Sequence, residues 1–468
     1  MPAPKEFLDF VDSNADAFIQ RLSEAVLIKS VSGDPTYRDE VIKMSNWINQ
    51  QLQAVGVQTH LADLGRHTMD GQDLPLPPAV LGRIGNDPNK KTVLVYGHFD
   101  VQPALVSDGW NTDPFKLTIL PNGQLVGRGS SDDKGPVLGW LNVLQYHHQT
   151  KTPLPVNLRC CFEGMEESGS EGLDDLVKKE SQPGGWFDGV DCVCISDNYW
   201  LNTRTPVLTY GLRGLSYYKI NVEGPARDLH SGVFGRMVHE PMTDLIRVMG
   251  TLVDVNGKIL IPGVDEMVAG ADVEERQLYE KLDYSIKDVE DSIGAATALS
   301  DDKVEVLMGR MRMPSLSLHG IEGAFYGAGA KTVIPAKACT PQSPESVLPL
   351  VKAHIESEFK KLGTKNKLHL EELHGGTPWV TDINHWNFKA AKIATKAIYN
   401  QEPDMTREGG SIPVTLTFAE ALGVSVLLLP MGRGDDGAHS TNEKLDRSNY
   451  IQGTKLLGTY LYEVSVAQ

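Results

Sequence analysis

Four apolar runs in this chain each end in side chains able to hold a divalent cation. Residues 92–96 (Thr-Val-Leu-Val-Tyr) lead into Gly97, His98, Phe99 and Asp100, and residues 156–162 lead into Glu163, Gly164, Met165, Glu166 and Glu167. Residues 190–195 are followed by Ser196 and Asp197, and residues 424–429 by a Gly-rich loop bearing Asp435, Asp436 and His439. The segment Gly129-Ser-Ser-Asp-Asp-Lys-Gly135 adds Asp132 and Asp133. Oxygen and imidazole donors without thiolate suit Zn²⁺, Mn²⁺ or Co²⁺. A dinuclear metal hydrolase needs several such groups converging on one point, with one carboxylate bridging two ions about 3.5–4 Å apart. It also needs a carboxylate left free to take a proton from water. Singly the pieces say little, since a Glu-Glu pair is usually solvated and Asp-Asp between glycines is usually a turn. Four polar clusters after four apolar runs are not explained that way.

The runs are strand-like, and helical patterns lie between them, at residues 137–146 and 173–179. Buried strands alternating with helices indicate an α/β fold with a mainly parallel sheet. Open sheets of this kind place their ligand sites past the C-terminal ends of the strands, where these polar residues fall. The opening reads as two helices, one with Phe18, Leu22, Ala25 and Val26 on its apolar face, the other with Val41, Met44, Ile48 and Leu52, stopping at Gly56. Residues 209–381 behave differently: a strand at 217–222, a charged helical stretch at 273–287 and a Gly-rich loop at 320–329. This segment reads as an α+β domain inserted into a discontinuous catalytic domain made of residues 1–208 and 382–468.

The chain of 468 residues carries 44 Lys+Arg against 61 Asp+Glu, a net charge of −17. That balance argues against a nucleic-acid partner, because no cationic footprint for phosphates is present. No run approaches the roughly 20 apolar residues that span a bilayer, so no membrane role is expected. The N-terminus lacks the apolar core of a signal peptide. Five cysteines, four of them in apolar runs and none in CxxC spacing, read as buried reduced thiols, which points to the cytoplasm.

Six ordered motifs resemble the co-catalytic metallopeptidases of carnosinase type, over essentially the whole chain. They are Gly97-His-Phe-Asp-Val-Gln-Pro103, Gly127-Arg-Gly-Ser-Ser-Asp-Asp-Lys-Gly-Pro136, Glu163-Gly-Met-Glu-Glu-Ser-Gly169, Asp228-Leu-His-Ser-Gly232, Thr406-Arg-Glu-Gly-Gly-Ser-Ile-Pro413 and Asp435-Asp-Gly-Ala-His-Ser440. The resemblance implies two divalent metal ions per subunit, Zn or Mn. His98, Asp132 and Asp197 would hold one, and Asp132, Glu167 and His439 the other. It further implies that Asp100 orients His98, that Glu166 is the general base, and that Thr332 and Ser411 seat the terminal carboxylate of a small peptide substrate. His230, from the inserted lid and dimerisation domain, would donate to the oxyanion in the other subunit of a homodimer. The implied reaction is hydrolysis of dipeptides, including Cys-Gly in glutathione breakdown.

One departure stands out. After Lys331-Thr-Val-Ile-Pro-Ala-Lys337 the family continues with a strand whose arginine clamps the substrate carboxylate. Here the chain runs Ala338-Cys-Thr-Pro-Gln-Ser-Pro-Glu345, short by about one strand, on the order of 5–8 residues. Two prolines there argue against a substitute ladder strand. The departure leaves open a catalytically impaired scaffold subunit; a separate alternative is an amidohydrolase of N-acyl amino acids on the same scaffold. The intact ligand set argues for an enzyme. Other motifs are absent: His239-Glu-Pro-Met-Thr243 fails the metalloprotease HExxH pattern at its last position.

Overall fold

The computed structural model describes residues 2–268, 270–296, 298–321, 323, 332–334, 337–341, 347–410, 412 and 414–468. Among them a nine-stranded sheet runs in the order Gln58–Ala62, Ala79–Ile84, Asn157–Glu163, Thr92–His98, Cys192–Ile195, Ser425–Leu428, Val207–Leu212 and Trp379–Val380, with Asp404–Glu408 also pairing on Val207–Leu212. The four central strands are parallel to one another, and antiparallel pairs close the sheet on both sides. All four carry the apolar runs, because strands covered on both faces have no solvent side to mark with polar residues. Every residue of Thr92–His98 and of Asn157–Glu163 is buried.

Helices cover both faces. On one, Lys134–Thr150 is buried from Lys134 through His147, wedged between the sheet and the helices Ala15–Leu27 and Arg447–Val466. On the other, Leu173–Glu180 packs with Val414–Leu422 over Leu94, Tyr96, Val193 and Val426. Each fully buried Leu or Phe of these layers contributes about 1.5–3 kcal/mol. Gly97 permits a close approach, since a Cβ there would lie 2.6 Å from Val137 and 2.7 Å from Asp133 Oδ2. Any side chain would push the Asp132-Asp133 turn away from His98.

A separate three-stranded antiparallel sheet has Leu215–Glu223 at its centre, flanked by Lys337–Pro341 and Lys367–Gly376. Helices Pro241–Met249 and Leu348–Lys361 pack their Leu245, Val248, Val351 and Ile355 on Tyr218, Ile220 and Val222. Beside it, Leu229–His230 pairs with Val333–Ile334 in a short ribbon.

Several details differ from the sequence reading. A further helix, Lys5–Ser13, precedes the two expected, and buries Phe7 and Val11. The charged stretch is two helices, Val273–Lys281 and Ile286–Ile293, because Ser285 caps the second by accepting from Asp288 N–H. These helices and Lys303–Met311 pack on Trp200, Leu201 and Val207, beside the large sheet. Arg204 ties them down through Asp283 at 2.8 Å and Asp288 at 2.6 Å. The large sheet also takes in residues through Leu212 and resumes at Trp379. The substitute strand does form: Lys337–Pro341 pairs with Leu215–Glu223 over five positions, and Pro341 closes it opposite Lys219. A proline at the end of a sheet-edge strand breaks no interior ladder, so it is tolerated there. Most of the Gly-rich loop 320–329 lies outside the described residues, as do residues 342–346. No helix among the described residues is long and apolar enough to cross a membrane.

Candidate metal centre

The strand ends bring five of the expected ligands together in two groups that share one residue. His98, Asp132 and Asp197 offer donor atoms all within 4.8 Å of one another, and so do Asp132, Glu167 and His439. Asp132 joins them with different oxygens. Its Oδ1 lies 3.1 Å from His98 Nε2, and its Oδ2 lies 3.2 Å from His439 Nε2. Asp197 Oδ1 stands 3.6 Å from His98 Nε2, and Glu167 Oε2 stands 2.9 Å from His439 Nε2. A carboxylate presenting one oxygen to each of two imidazole–carboxylate pairs is the donor geometry that two divalent cations require, so the residues fit such ions.

Asp100 and Glu166 flank this cluster. Asp100 is fully buried, with Oδ1 3.4 Å from His98 Nδ1. The same carboxylate accepts the N–H of Glu166 at 3.2 Å and of Glu167 at 3.0 Å. It therefore holds the far side of one ligand and the backbone of another. Glu166 comes no closer than 4.0 Å to His98 Nε2 and lines the cavity beside the cluster.

Proton affinities follow the crowding of carboxylates. Burial works against an imidazolium at His98, but Asp197 and hydrogen bonds to Asp100, Asp132 and Asp197 outweigh it and raise its pKa well above the usual range. Hydrogen bonds to Asp132 and Glu167 push His439 up to about 11. Burial alone would raise Asp132, yet His439 and His98 hold it below the ordinary carboxylate range. Burial lifts Glu166 well above that range; His98 opposes, and Asp197 and Glu167 reinforce the rise. Divalent cations and protons thus compete for one set of donors.

The cavity over the cluster has a volume of about 240 Å³ and is lined by Asp132, Glu166, Asp197, Tyr199, Arg310, His439 and neighbours. A larger one, about 410 Å³, lies in the insert around Tyr217, Ile261 and Val351 and shares no lining residue with it. The candidate metal donors Asp132, Asp197 and His439 line the smaller, and no donor group among the described residues falls on the larger.

Other expected residues lie elsewhere. His230 is exposed on the ribbon, its Nδ1 accepting from Gly232 N–H at 3.1 Å. Thr332 is exposed beside it, its carbonyl accepting from Ser231 N–H at 3.2 Å. Neither is among the described residues lining the metal cavity. Ser411 lies outside the described residues. Three residues were not legible in advance. Gln102 donates to Glu167 Oε2 at 2.7 Å. Glu443 is buried under the Asp132 loop. Arg310, on Lys303–Met311, enters the cavity and donates to Glu408 at 3.4 Å. The first two each sit four residues beyond an expected ligand, His98 and His439, the one signal that could have marked them.

Buried parallel strands that deliver carboxylate and imidazole donors to one point beyond their C-terminal ends define a metallohydrolase of the α/β class. A sequence model of peptidase family M20/M25/M40 matches residues 94–463, and the chain belongs to that family. It is 56% identical to the Cys-Gly metallodipeptidase of Candida albicans, over 97% of this chain and 96% of the relative. It is 42% identical to the human Beta-Ala-His dipeptidase, over 98% of this chain and 92% of the relative. The solved structure of the dipeptidase Dug1p from Saccharomyces cerevisiae superposes with a TM-score of 0.95 at 51% identity, covering 98% of each chain.

Proposed function

We propose that this protein hydrolyses unblocked dipeptides, Cys-Gly among them, with two Zn²⁺ or Mn²⁺ ions per subunit. One ion is held by His98, Asp132 and Asp197 and the other by Asp132, Glu167 and His439. The observation that carries the reading is the division of Asp132, with Oδ1 at His98 and Oδ2 at His439. The names of the full-length relatives support the substrate class. Cations bound there supply Lewis acidity, polarising the scissile carbonyl and acidifying water.

Within this scheme Glu166 takes a proton from the attacking water and passes it to the leaving amine nitrogen. Its burial-raised proton affinity suits it to both halves of that transfer. Asp100 keeps the His98 ring oriented. His230 donates to the tetrahedral oxyanion from the partner subunit of a homodimer. Its exposure, with Val233 and Met237 also exposed nearby, supports a surface that another subunit covers. Thr332 and Ser411 help seat the substrate's terminal carboxylate. Arg310 is the one Lys or Arg among the described residues lining the cavity, which supports it as the cation facing that carboxylate. The insert expected at residues 209–381 serves as lid and dimerisation domain on the catalytic domain of residues 1–208 and 382–468, with its ends, through Leu212 and from Trp379, joining the large sheet. Four buried cysteines without disulfide partners (Cys160, Cys161, Cys192 and Cys194) support a reducing cytoplasmic setting.

The test is an assay of EDTA-stripped protein on Cys-Gly, plain dipeptides and N-acetylated amino acids, before and after adding Mn²⁺ or Zn²⁺. Cleavage of the unblocked dipeptides that appears only with metal is the expected result. Preference for the N-acetyl compounds would make it an amidohydrolase instead. A folded, metal-loaded protein that cleaves nothing would sink the enzyme reading.

A further inference from the structure

The loop that carries Asp132 is held by a carboxylate from another part of the chain. Glu443 is fully buried, four residues beyond His439. Its Oε1 accepts the N–H of Ser131 at 3.0 Å and of Asp132 itself at 3.0 Å. Its Oε2 accepts the N–H of Gly129 at 3.0 Å and Arg128 Nη1 at 2.9 Å. Arg128, also buried, uses its other terminal nitrogen to donate to the Ser440 carbonyl at 3.0 Å, next to His439. The Glu443 carbonyl accepts Gly127 N–H at 2.9 Å. A parallel tie runs from Ser131 Oγ to Asp436 Oδ2 at 2.6 Å. The loop bearing Asp132 and the loop bearing His439 are thus fastened to each other largely through one side chain.

Resting on the metal-centre reading above, we propose that Glu443 is a positioning residue for it. By gathering the backbone N–H groups of Gly129, Ser131 and Asp132, it fixes the turn from which Asp132 presents one oxygen to each imidazole. Through Arg128 and Ser440 it also sets where His439 stands relative to Asp132. A carboxylate is required because all four groups facing it are donors. A neutral amide at this position turns one acceptor into a donor aimed at another donor. Buried acids usually carry a cost, and here it is offset by four hydrogen bonds to the carboxylate, one of them from the Arg128 guanidinium.

The experiment compares wild type, Glu443→Gln, Glu443→Asp and Leu457→Ala as full-length proteins. Leu457 is a fully buried core residue on the helix Arg447–Val466 whose apolar side chain makes none of the hydrogen bonds joining the two loops, so its truncation destabilises without removing them. Mn²⁺ and Zn²⁺ affinities are read by competition with a chromogenic chelator, and folding by circular dichroism of the stripped protein. Glu443→Gln is expected to bind metal about 10–100-fold more weakly, the usual consequence of losing a group that orients a ligand. Leu457→Ala should keep wild-type affinity. Where Glu443→Gln does not fold, Glu443→Asp takes its place, since it keeps the charge but withdraws the acceptor. Wild-type metal affinity in a folded Glu443 variant would overturn the assignment and leave the metal centre standing. A wild-type protein that takes up no divalent cation would overturn both.

Discussion

The Asp100 carboxylate lies 3.4 Å from His98 Nδ1, on the side of the ring facing away from Asp132. Together with the Asp100 carbonyl, 3.2 Å from the same nitrogen, that contact leaves Nε2 as the nitrogen free for a cation and sets the plane in which it is offered. Because Asp100 also accepts the N–H groups of Glu166 and Glu167, the strand end at His98 and the turn after Glu163 are clamped by one side chain.

Asp100→Asn should therefore weaken metal binding by about 10–100-fold, as loss of a partner behind a ligand commonly does. The amide supplies one acceptor at most, and the imidazole and two backbone donors must share it. Chelator competition measures the effect. Unchanged affinity in a folded variant would show that Asp100 is packing only.

Glu166→Gln separates base from ligand. With Glu166 Oε2 at 4.0 Å from His98 Nε2 and the other donors closer, removing its charge should leave metal content intact. Turnover should fall by about 10²–10⁴-fold, the usual worth of a positioned proton-transfer group. Metal lost in step with activity would instead make Glu166 a ligand.

How much of this could be read from residues alone depends on what each segment buries. The central strands were legible because a strand covered on both faces is a continuous apolar run, and the polar residue that follows marks its end. Lys5–Ser13 was missed because only Phe7 and Val11 of its nine residues are buried, too weak a stripe beside its acidic residues. The break at Ser285 was missed because charged residues on both sides blur the helical period. Glu443 and Arg310 were invisible for another reason. Next to Lys444, Glu443 reads as a solvated charge, and Arg310 reads as one more polar residue near a helix end. Only tertiary approach, across 311 residues from Glu443 to Asp132 and 98 from Arg310 to Glu408, gives them partners.

The exposed ribbon makes a mixing experiment decisive for His230. His230→Ala should lower kcat by about 10²–10³-fold, the usual loss for an oxyanion donor, with bound metal unchanged. Combined with Glu166→Gln subunits, it should regain activity, because mixed dimers rebuild one complete site. No recovery after demonstrated subunit exchange would count against a shared site.

His439, alongside His98, contributes to the pH dependence of metal uptake. Its pKa is raised from 6.5 to about 11 by Asp132 and Glu167, so the stabilisation from that pairing is complete below 6.5 and lost as pH rises through about 11. The ring is more than half exposed, so water damps the effect. Over the same window a cation must displace the proton. Affinity should rise with pH by up to about tenfold per unit for each proton displaced. Calorimetry in two buffers of different ionisation heat counts the released protons. Affinity that is flat with pH, with no proton release, would contradict the pairing.

The final prediction concerns the cavity's cation. Arg310 faces a space whose lining includes the carboxylates Asp132, Glu166, Asp197 and Glu408, and its Glu408 contact, at 3.4 Å, is long for a charge-assisted bond. Held by Glu408 and Tyr284 but about one-third exposed, the five-donor guanidinium has N–H groups to spare for a second carboxylate. A dipeptide brings one at its C-terminus, and in this acidic space it would otherwise meet mostly repulsion. Arg310→Met should then raise KM for Cys-Gly by about 10–100-fold, matching the roughly 1.5–3 kcal/mol of a hydrogen bond to a charged group. The corresponding dipeptide amide, which has no such charge, should be cleaved with nearly unchanged KM by both proteins. An equal loss on acid and amide would mean that Arg310 braces the 404–408 strand through Glu408 and reads no substrate charge at all.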